Sequence, residues 1–354
     1  MVQRSIIALV SGPSGFAGRT DPIPVENSSW NEAESVNQAL EERLGVPTSV
    51  LRLISAEGGD DGSWGGVVTY HVEAHGEPNR HRLHPAEEPE ADAPRRLPWA
   101  KPGGPAELIA WADAHVDRTG PAVQLKTWNL LSLHRLPVTG GTAWLKAVPP
   151  FLADEATVIE MVAAQDPSLV PEVIASAPHR VLLGNVPGDK CWPITPEHID
   201  LIVPRWVAVQ HALAGERTPA VRPSAVPMPS FGLPDTLVHG DFHPGNFLTS
   251  GVIIDWSDAV WGHPALDVGR LLDYCQHYPT LYDHIAKVWS DAWLRHRPDS
   301  RPLEALDAGR RAGRLQFAVK YQEVVDEAED SQRIYHRSYP TGSLTSITRL
   351  VNTP

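Results

Sequence analysis

The 354-residue sequence has little cysteine, little positive charge and no long apolar run. Its two cysteines, Cys191 and Cys275, cannot form a disulfide framework or a thiolate metal site, which favours a reducing cytoplasm. A formal net charge of −13 argues against a nucleic-acid-binding surface and leaves room for a cationic or metal-bridged ligand. No stretch reaches the ~18 apolar residues of a membrane span, and the N-terminal run lacks the length of a signal-peptide core. These absences predict a soluble, cytoplasmic protein that binds neither nucleic acid nor membrane, and they leave its oligomeric state open.

The sequence does contain enough apolar side chains for folded domains with real cores. Hydrophobic residues make up 42% of the chain, and it has 12 tryptophans. Residues 77–105 and 214–235 are rich in proline and charge, as connections between units are. We therefore predict an N-terminal α+β extension over residues 1–115, a middle unit over 116–190 and a mainly helical unit over 191–354.

Two patterns in the first unit resemble motifs of other enzymes. The helix that ends in the letters LGV resembles the helix of the Nudix hydrolases, but only Glu42 falls in register with its acidic metal-binding pattern. The resemblance implies a degenerate Nudix-like unit without the hydrolase chemistry. The letters SGPSGFAGRT follow a strand-like run as a phosphate-binding loop would, but Pro13 and Arg19 replace its first glycine and its lysine. We do not expect this loop to bind phosphate.

The stretch with the most chemistry is LVHGDFHPGNFLTSGVIIDW. In an extended segment alternate side chains share a face, so His239, Asp241 and His243 together favour one hypothesis, a metal-dependent hydrolase. That hypothesis gives Asn246 and Asp255 no role, and no second histidine cluster supplies further ligands.

A second hypothesis gives all of these polar residues a role. Asp241 and Asn246 are separated by four residues, as in the catalytic loop of phosphoryl-transfer kinases, where an Asp takes the hydroxyl proton and an Asn holds a metal ion. The letters NFLTSGVIIDW predict a hairpin that brings Asp255 to the same place. Because Mg²⁺ prefers hard oxygen ligands, Asn246 and Asp255 are the expected metal ligands and Asp241 the catalytic base.

The letters HGDFHPGNF, followed by IIDWSDAVWGHPALDVGRLL, resemble the aminoglycoside phosphotransferase and choline kinase family. The resemblance implies an α+β, bilobal protein-kinase-like fold preceded by the extra α+β domain. Residues 116–190 would form the small lobe of β-meander and helix, and residues 191–354 the helical lobe with the catalytic loop and the acceptor site. It also implies a kinase that uses Mg²⁺ to move the γ-phosphate of ATP or GTP to a hydroxyl of a small molecule.

The small lobe of such a kinase supplies groups for the nucleotide. Lys146, on the third strand of the predicted meander, is the expected phosphate-binding lysine. Glu155 lies on the inward apolar stripe of the next helix and is its expected partner, whereas Glu160 faces solvent. The turn KTWNLLS lacks the glycines of protein kinases, and its candidate phosphate-binding residues are Asn129 and Ser132.

Backbone groups of the letters VLLGNVPGD resemble the hinge that meets the purine in such kinases. The residues concerned are Gly184, Asn185 and Val186. Supporting roles in the catalytic loop, by hydrogen bonding rather than proton transfer, are expected for three side chains: His239, His243 and Asp267.

The acceptor is the least specified part of the sequence. Glu323, Asp326 and Glu327 form an acidic stripe that fits a polycation or a solvated helix face. Trp261 is a candidate for stacking on a sugar or nucleobase. An aminoglycoside or another sugar or nucleoside antibiotic is the first expectation, with resistance as its consequence. The first alternative is a kinase that acts on a sugar or amino sugar. The second is a nucleotide-binding module that does not catalyse a reaction.

Overall fold

The computed structural model describes residues 4–26, 29–58, 64–90 and 92–336, and these form two compact units. The first unit consists of the described residues of Met1–Pro149 and Glu323–Ser338, and the second of Pro150–Gln322. The division predicted at residues 115 and 190 stays a prediction. The last part of its third unit, residues 337–354, lies outside the described residues.

A five-stranded mixed sheet and one helix form the amino-terminal part of the first unit. Its elements are β1 (Arg4–Gly12), β2 (Gly15–Arg19), β3 (Ile23–Val25), α1 (Glu34–Leu44), β4 (Thr48–Glu57) and β5 (Gly66–Ala74). The strand order is β2-β1-β5-β4, with β3 paired to β1, and β1 runs parallel to β5. Alternate residues of β1, such as Ile6 and Val10, are buried against Val36 and Leu40 of α1. The letters SGPSGFAGRT form the β1–β2 hairpin, whereas a phosphate loop leads into a helix.

The rest of the first unit contains an antiparallel meander, as the sequence predicts. It follows α2 (Gly104–Asp113) and consists of β6 (Val123–Thr127), β7 (Ser132–Val138) and β8 (Gly141–Ala147). The chain returns to this unit in the 3₁₀ segment Asp330–Tyr335. The Tyr335 ring joins the core of the first sheet, and its hydroxyl donates to the Trp30 carbonyl at 3.2 Å.

The second unit is mainly helical, with short strands. Its elements are α3 (Glu155–Ala163), β9 (Val173–Ala177), β10 (Arg180–Gly184), α4 (Pro196–Ala212), β11 (Thr236–Val238), β12 (Val260–Gly262), α5 (Ala265–Tyr274), α6 (Pro279–His296) and most of α7 (Pro302–Glu327). Ile199, Ile202 and Trp206 of α4 are buried at helical spacing, which explains why this segment forms a helix. The predicted α+β class with an additional N-terminal α+β unit is confirmed. Among the described residues, no helix is long and apolar enough to cross a membrane.

Candidate active site

The catalytic loop and the hairpin after it lie within the second unit. Strand β11 ends at Val238, the loop follows, and Asn246 closes a 3₁₀ turn. A bridge between Phe247 and Ile253 then forms the predicted hairpin. The Ile254 amide donates to the Asn246 carbonyl at 2.9 Å, which places the start of the Asp255 segment directly beside the loop.

The glycine between His239 and Asp241 is required by the path of the backbone. Gly240 has a left-handed φ of +84°, and a Cβ added to it would lie 2.1 Å from the carbonyl oxygen of Asp258. No real Cβ approaches an atom so closely, so only glycine lets the loop pass this segment.

His239 joins the catalytic loop to the hairpin. Its buried ring accepts the Asp241 amide N–H through Nδ1 at 3.2 Å and donates from Nε2 to the Ile254 carbonyl at 3.1 Å. Both ring nitrogens are therefore engaged, and neither is left for the metal ion of the hydrolase hypothesis.

Asp267 fixes the loop from the first turn of α5. Its buried carboxylate accepts four N–H groups, from Trp206 Nε1 (2.9 Å), Gln210 Nε2 (3.2 Å) and the amides of His239 (2.9 Å) and Gly240 (3.1 Å). Burial raises the pKa of Asp267, and these donors oppose that rise. The carboxylate holds the backbone that carries Asp241.

The carboxylate of Asp241 is bound by two cationic or polar side chains. Arg270 donates from Nε (3.0 Å) and Nη2 (2.9 Å) to Oδ1, and His243 Nε2 lies 3.3 Å from Oδ2. Burial alone would raise the pKa of Asp241, but the His243 hydrogen bond and the Arg270 charge outweigh it and hold that pKa well below its usual range. Asp241 is thus ionised at neutral pH, as a proton acceptor must be.

Sequence reasoning missed Arg270, although a signal for it exists. Asp267 and Arg270 are three residues apart on α5, and side chains at this spacing lie on one helix face. Because Asp267 braces the loop, the residue one turn along that face was a candidate for the same loop.

Each of the two expected metal ligands forms a hydrogen bond with a nearby residue. Asn246 donates through Nδ2 to the Asp241 carbonyl at 2.9 Å, which directs its amide towards the loop. Asp255 has a left-handed φ of +69°, and its Oδ1 accepts the Ser257 hydroxyl at 3.3 Å. An amide oxygen and a carboxylate next to the Asp241 segment form a donor set that suits Mg²⁺.

Glu155 and Lys146, the predicted ion pair, belong to different units. Glu155 is 3% exposed at the start of α3, and its Oε1 accepts the Trp256 amide at 3.0 Å, immediately after Asp255. Lys146 is buried on β8. The pairing stays a prediction, and Glu160 is exposed on α3. Asp154 is the N-cap of α3, but its side chain makes no capping hydrogen bond.

The candidate phosphate residues of the β6–β7 turn are buried within the first unit. Asn129 accepts a hydrogen bond from His336 Nε2 at 2.8 Å, and the Trp128 ring lies 5.0 Å from the His336 ring. Asn129 Nδ2 and Ser132 Oγ have no hydrogen-bond partner among the described residues. The phosphate-binding role of Asn129 and Ser132 stays a prediction.

The hinge candidates lie after β10 in the second unit. The Gly184 amide donates to the Glu172 carbonyl at 2.9 Å. Asn185 and Val186 line a cavity of about 640 Å³, together with apolar side chains such as Ile159.

The predicted acceptor residues are divided between the two units. Trp261 is buried on β12 opposite Leu237. Glu323, Asp326 and Glu327 belong to the first unit. The second unit has a cavity of about 430 Å³ next to Arg270, with walls from α5 and α7, and none of these four residues lines it.

Comparison with known proteins gives one family match and several structural similarities. The model of the phosphotransferase enzyme family matches residues 130–303. No curated protein matches the chain. Similar solved structures are a choline/ethanolamine kinase family protein from Mesorhizobium loti (17% identity, 70% of this chain and 96% of that chain, TM-score 0.47), a macrolide 2′-phosphotransferase type I (15%, 69% and 97%, 0.48) and an amicoumacin kinase (11%, 70% and 94%, 0.49).

The family match covers the catalytic loop, both expected metal ligands, Lys146, Glu155 and the whole of α5. On the strength of that match and of the loop geometry, residues 130–303 of the chain belong to the phosphotransferase enzyme family, and the protein is a kinase that acts on a hydroxyl acceptor.

Proposed function

We propose that this enzyme uses Mg²⁺ to move the γ-phosphate of ATP or GTP to a hydroxyl of a small molecule in the cytoplasm. One observation supports the proposal: the loop and hairpin join the segment of Asp241, whose carboxylate is ionised, to Asn246 and to the segment that carries Asp255. The two free, buried cysteines fit a reducing compartment.

In the proposed reaction the acceptor hydroxyl donates a hydrogen bond to Asp241. The hydroxyl oxygen forms a bond to the γ-phosphorus, the bond from that phosphorus to the bridging oxygen breaks, and the nucleoside diphosphate leaves. The hydroxyl proton passes to Asp241. Because the pKa of Asp241 is low, the main contribution of this carboxylate is to orient the hydroxyl, and proton transfer comes late.

The residues around Asp241 have separate tasks in this reaction. Mg²⁺, held by Asn246 and Asp255, would neutralise charge on the phosphate oxygens. Arg270 and His243 fix the orientation of the Asp241 carboxylate. Lys146 is the proposed phosphate-binding lysine, because of its place on the third strand of the meander.

For the acceptor we propose a hydroxyl of an antibiotic, with resistance as the biological result. Aminoglycosides and other sugar or nucleoside antibiotics belong to this set, and a sugar or amino sugar is the alternative. The support is the family match, and the partner is a small molecule rather than a nucleic acid because the chain carries a net charge of −13.

Transfer of label from γ-labelled ATP and GTP, with Mg²⁺, to a panel of these acceptors and choline tests the proposal. Asp241→Asn should abolish transfer and retain nucleotide binding. The matched control is Asp166→Asn, because Asp166 also pairs with an arginine of the second unit, Arg205, away from the loop. Full transfer by Asp241→Asn would refute the assignment of the base. Nucleotide binding without transfer to any acceptor would favour the non-catalytic module.

A further inference from the structure

The cavity beside the proposed base is lined by arginines and aromatic rings, whereas the acidic stripe predicts carboxylates at the acceptor site. It encloses about 430 Å³ and is lined by residues of α5, α7 and the turn after α5. The lining includes the charged side chains of Arg270, Asp273 and Arg314 and the rings of Tyr274, His277 and Phe317. The guanidinium of Arg270 also binds Asp241 Oδ1, so the cavity borders the proposed proton acceptor.

The lining of the cavity has more guanidinium groups than carboxylates. Its lining contains two guanidinium groups and, among the described residues, one carboxylate, that of Asp273. That carboxylate is already bound by Arg314 Nε (2.6 Å) and Nη2 (2.8 Å) and by Arg310 Nε (3.0 Å). Arg310 lies outside the lining. An ammonium group entering the cavity would therefore approach guanidinium groups and meet a carboxylate that is already paired.

Aromatic rings hold Arg270 in the wall of the cavity. Its guanidinium carbon lies 4.3 Å from the Phe317 ring centroid and 4.9 Å from that of Tyr274. Its Nε and Nη2 groups donate to Asp241, and Nη2 also donates to the Tyr274 hydroxyl. No described residue accepts a hydrogen bond from Nη1. The His243 ring stacks on Tyr274 at 4.5 Å, so the wall offers an N–H donor beside flat ring surfaces.

We propose that this cavity binds the acceptor and selects acceptors that carry an anionic group next to a ring with an apolar face. The anion would bind the guanidinium groups of Arg270 and Arg314, and the ring would lie against Tyr274 or Phe317. Polycations such as aminoglycosides are then poor acceptors, and the proposed antibiotic acceptors narrow to those with an anionic group. The inference rests on the proposed function, because it assumes that Asp241 receives the proton of the bound hydroxyl.

Three aryl glycosides that share one scaffold test the inference: 4-nitrophenyl β-D-glucuronide, the corresponding glucoside and the corresponding glucosaminide. Their affinities for the full-length protein are measured calorimetrically without nucleotide. The variant is Arg314→Gln, with Arg314→Lys to retain the charge. The control is Arg310→Gln, since both arginines bind Asp273 but only Arg314 lines the cavity. Melting temperatures report whether each variant is folded.

We expect the glucuronide to bind at least about tenfold more tightly than the glucosaminide, with the glucoside between them. Arg314→Gln should remove this preference, Arg314→Lys should restore part of it, and Arg310→Gln should keep it. No binding of the glucuronide, equal binding of all three glycosides, or a preference unchanged in a folded Arg314→Gln variant overturns the inference. Phosphoryl transfer to the bound glycosides is assayed separately, so its absence counts against the proposed function while the binding preference still stands.

Discussion

Replacing Gly240 by alanine should damage the catalytic loop more than its exposure suggests. The new Cβ would lie 2.1 Å from the Asp258 carbonyl oxygen, and real Cβ contacts are not shorter than 3.0 Å. The loop or the facing segment must therefore move by about 0.9 Å. Misplacement of reacting groups by about 1 Å costs on the order of 100-fold in rate. In Gly240→Ala the left-handed φ should cost about 1 kcal/mol of stability, and overpacking should cost a further amount of about 1–3 kcal/mol.

The assay for Gly240→Ala combines kcat/KM for phosphoryl transfer with the free energy of unfolding from urea titration. Gly215→Ala is the matched control, because Gly215 has nearly the same φ, +86°, and a Cβ added to it would have no atom within 4 Å. The control should lose about 1 kcal/mol of stability and retain its kcat/KM. If the two variants behaved alike, the close approach of Gly240 to Asp258 would not be what requires glycine.

Three further predictions concern side chains around the loop and in the first unit. Asp267→Ala leaves four N–H donors without their acceptor and should cost about 3–5 kcal/mol of unfolding free energy together with most of kcat, measured by urea titration and label transfer. Glu155→Gln keeps an oxygen for the Trp256 amide but removes the charge, so the nucleotide KM should rise about tenfold while stability changes little. His134→Phe should reduce the loss of stability in acid, measured by urea titration at pH 7 and pH 5. Burial lowers the pKa of His134 to about 4, below its unfolded value of 6.5, so this side chain alone contributes a loss of about 2 kcal/mol between pH 7 and pH 5.

Each of these predictions has a result that would contradict it. Asp267→Asn keeps the shape of the side chain and serves as the comparison. If Asp267→Ala lost no more stability and no more kcat than Asp267→Asn, the four hydrogen bonds would contribute little. If the nucleotide KM were unchanged in Glu155→Gln, Glu155 would not be the partner of Lys146. Its role would then be to bind the Trp256 amide. An acid dependence in His134→Phe equal to that of the wild type would place the acid-sensitive group elsewhere, with buried His71, whose pKa burial also lowers to about 4, as the next candidate.

The sequence predicted the path of the loop and hairpin because the information for it is local. Asp241, Asn246 and Asp255 lie within one loop and one hairpin, and the turn letters and apolar runs determine how that segment folds. The buried side of α3 was predictable for a similar reason, since helical spacing alone separates Glu155 from Glu160.

The acceptor side was less predictable because it depends on contacts between distant segments. Arg270 and Phe317 come into contact only when α5 packs on α7, and no local sequence pattern predicts that contact. The acidic residues at the end of α7 form a regular stripe, yet Glu323 and its neighbours belong to the first unit and do not line the cavity. Periodicity identified a charged helix face without indicating what lies opposite to it.

The first unit is discontinuous in the chain, and this affects how the protein can be synthesised and cut. The chain leaves it after Pro149 and returns at Glu323, and Tyr335 then completes its core. Glu329 from the returning segment also binds the buried side chains of Arg52 and Arg96. A ribosome must therefore release the chain as far as Tyr335 before this unit can finish folding, and a fragment truncated at residue 149 would expose the core where Tyr335 packs.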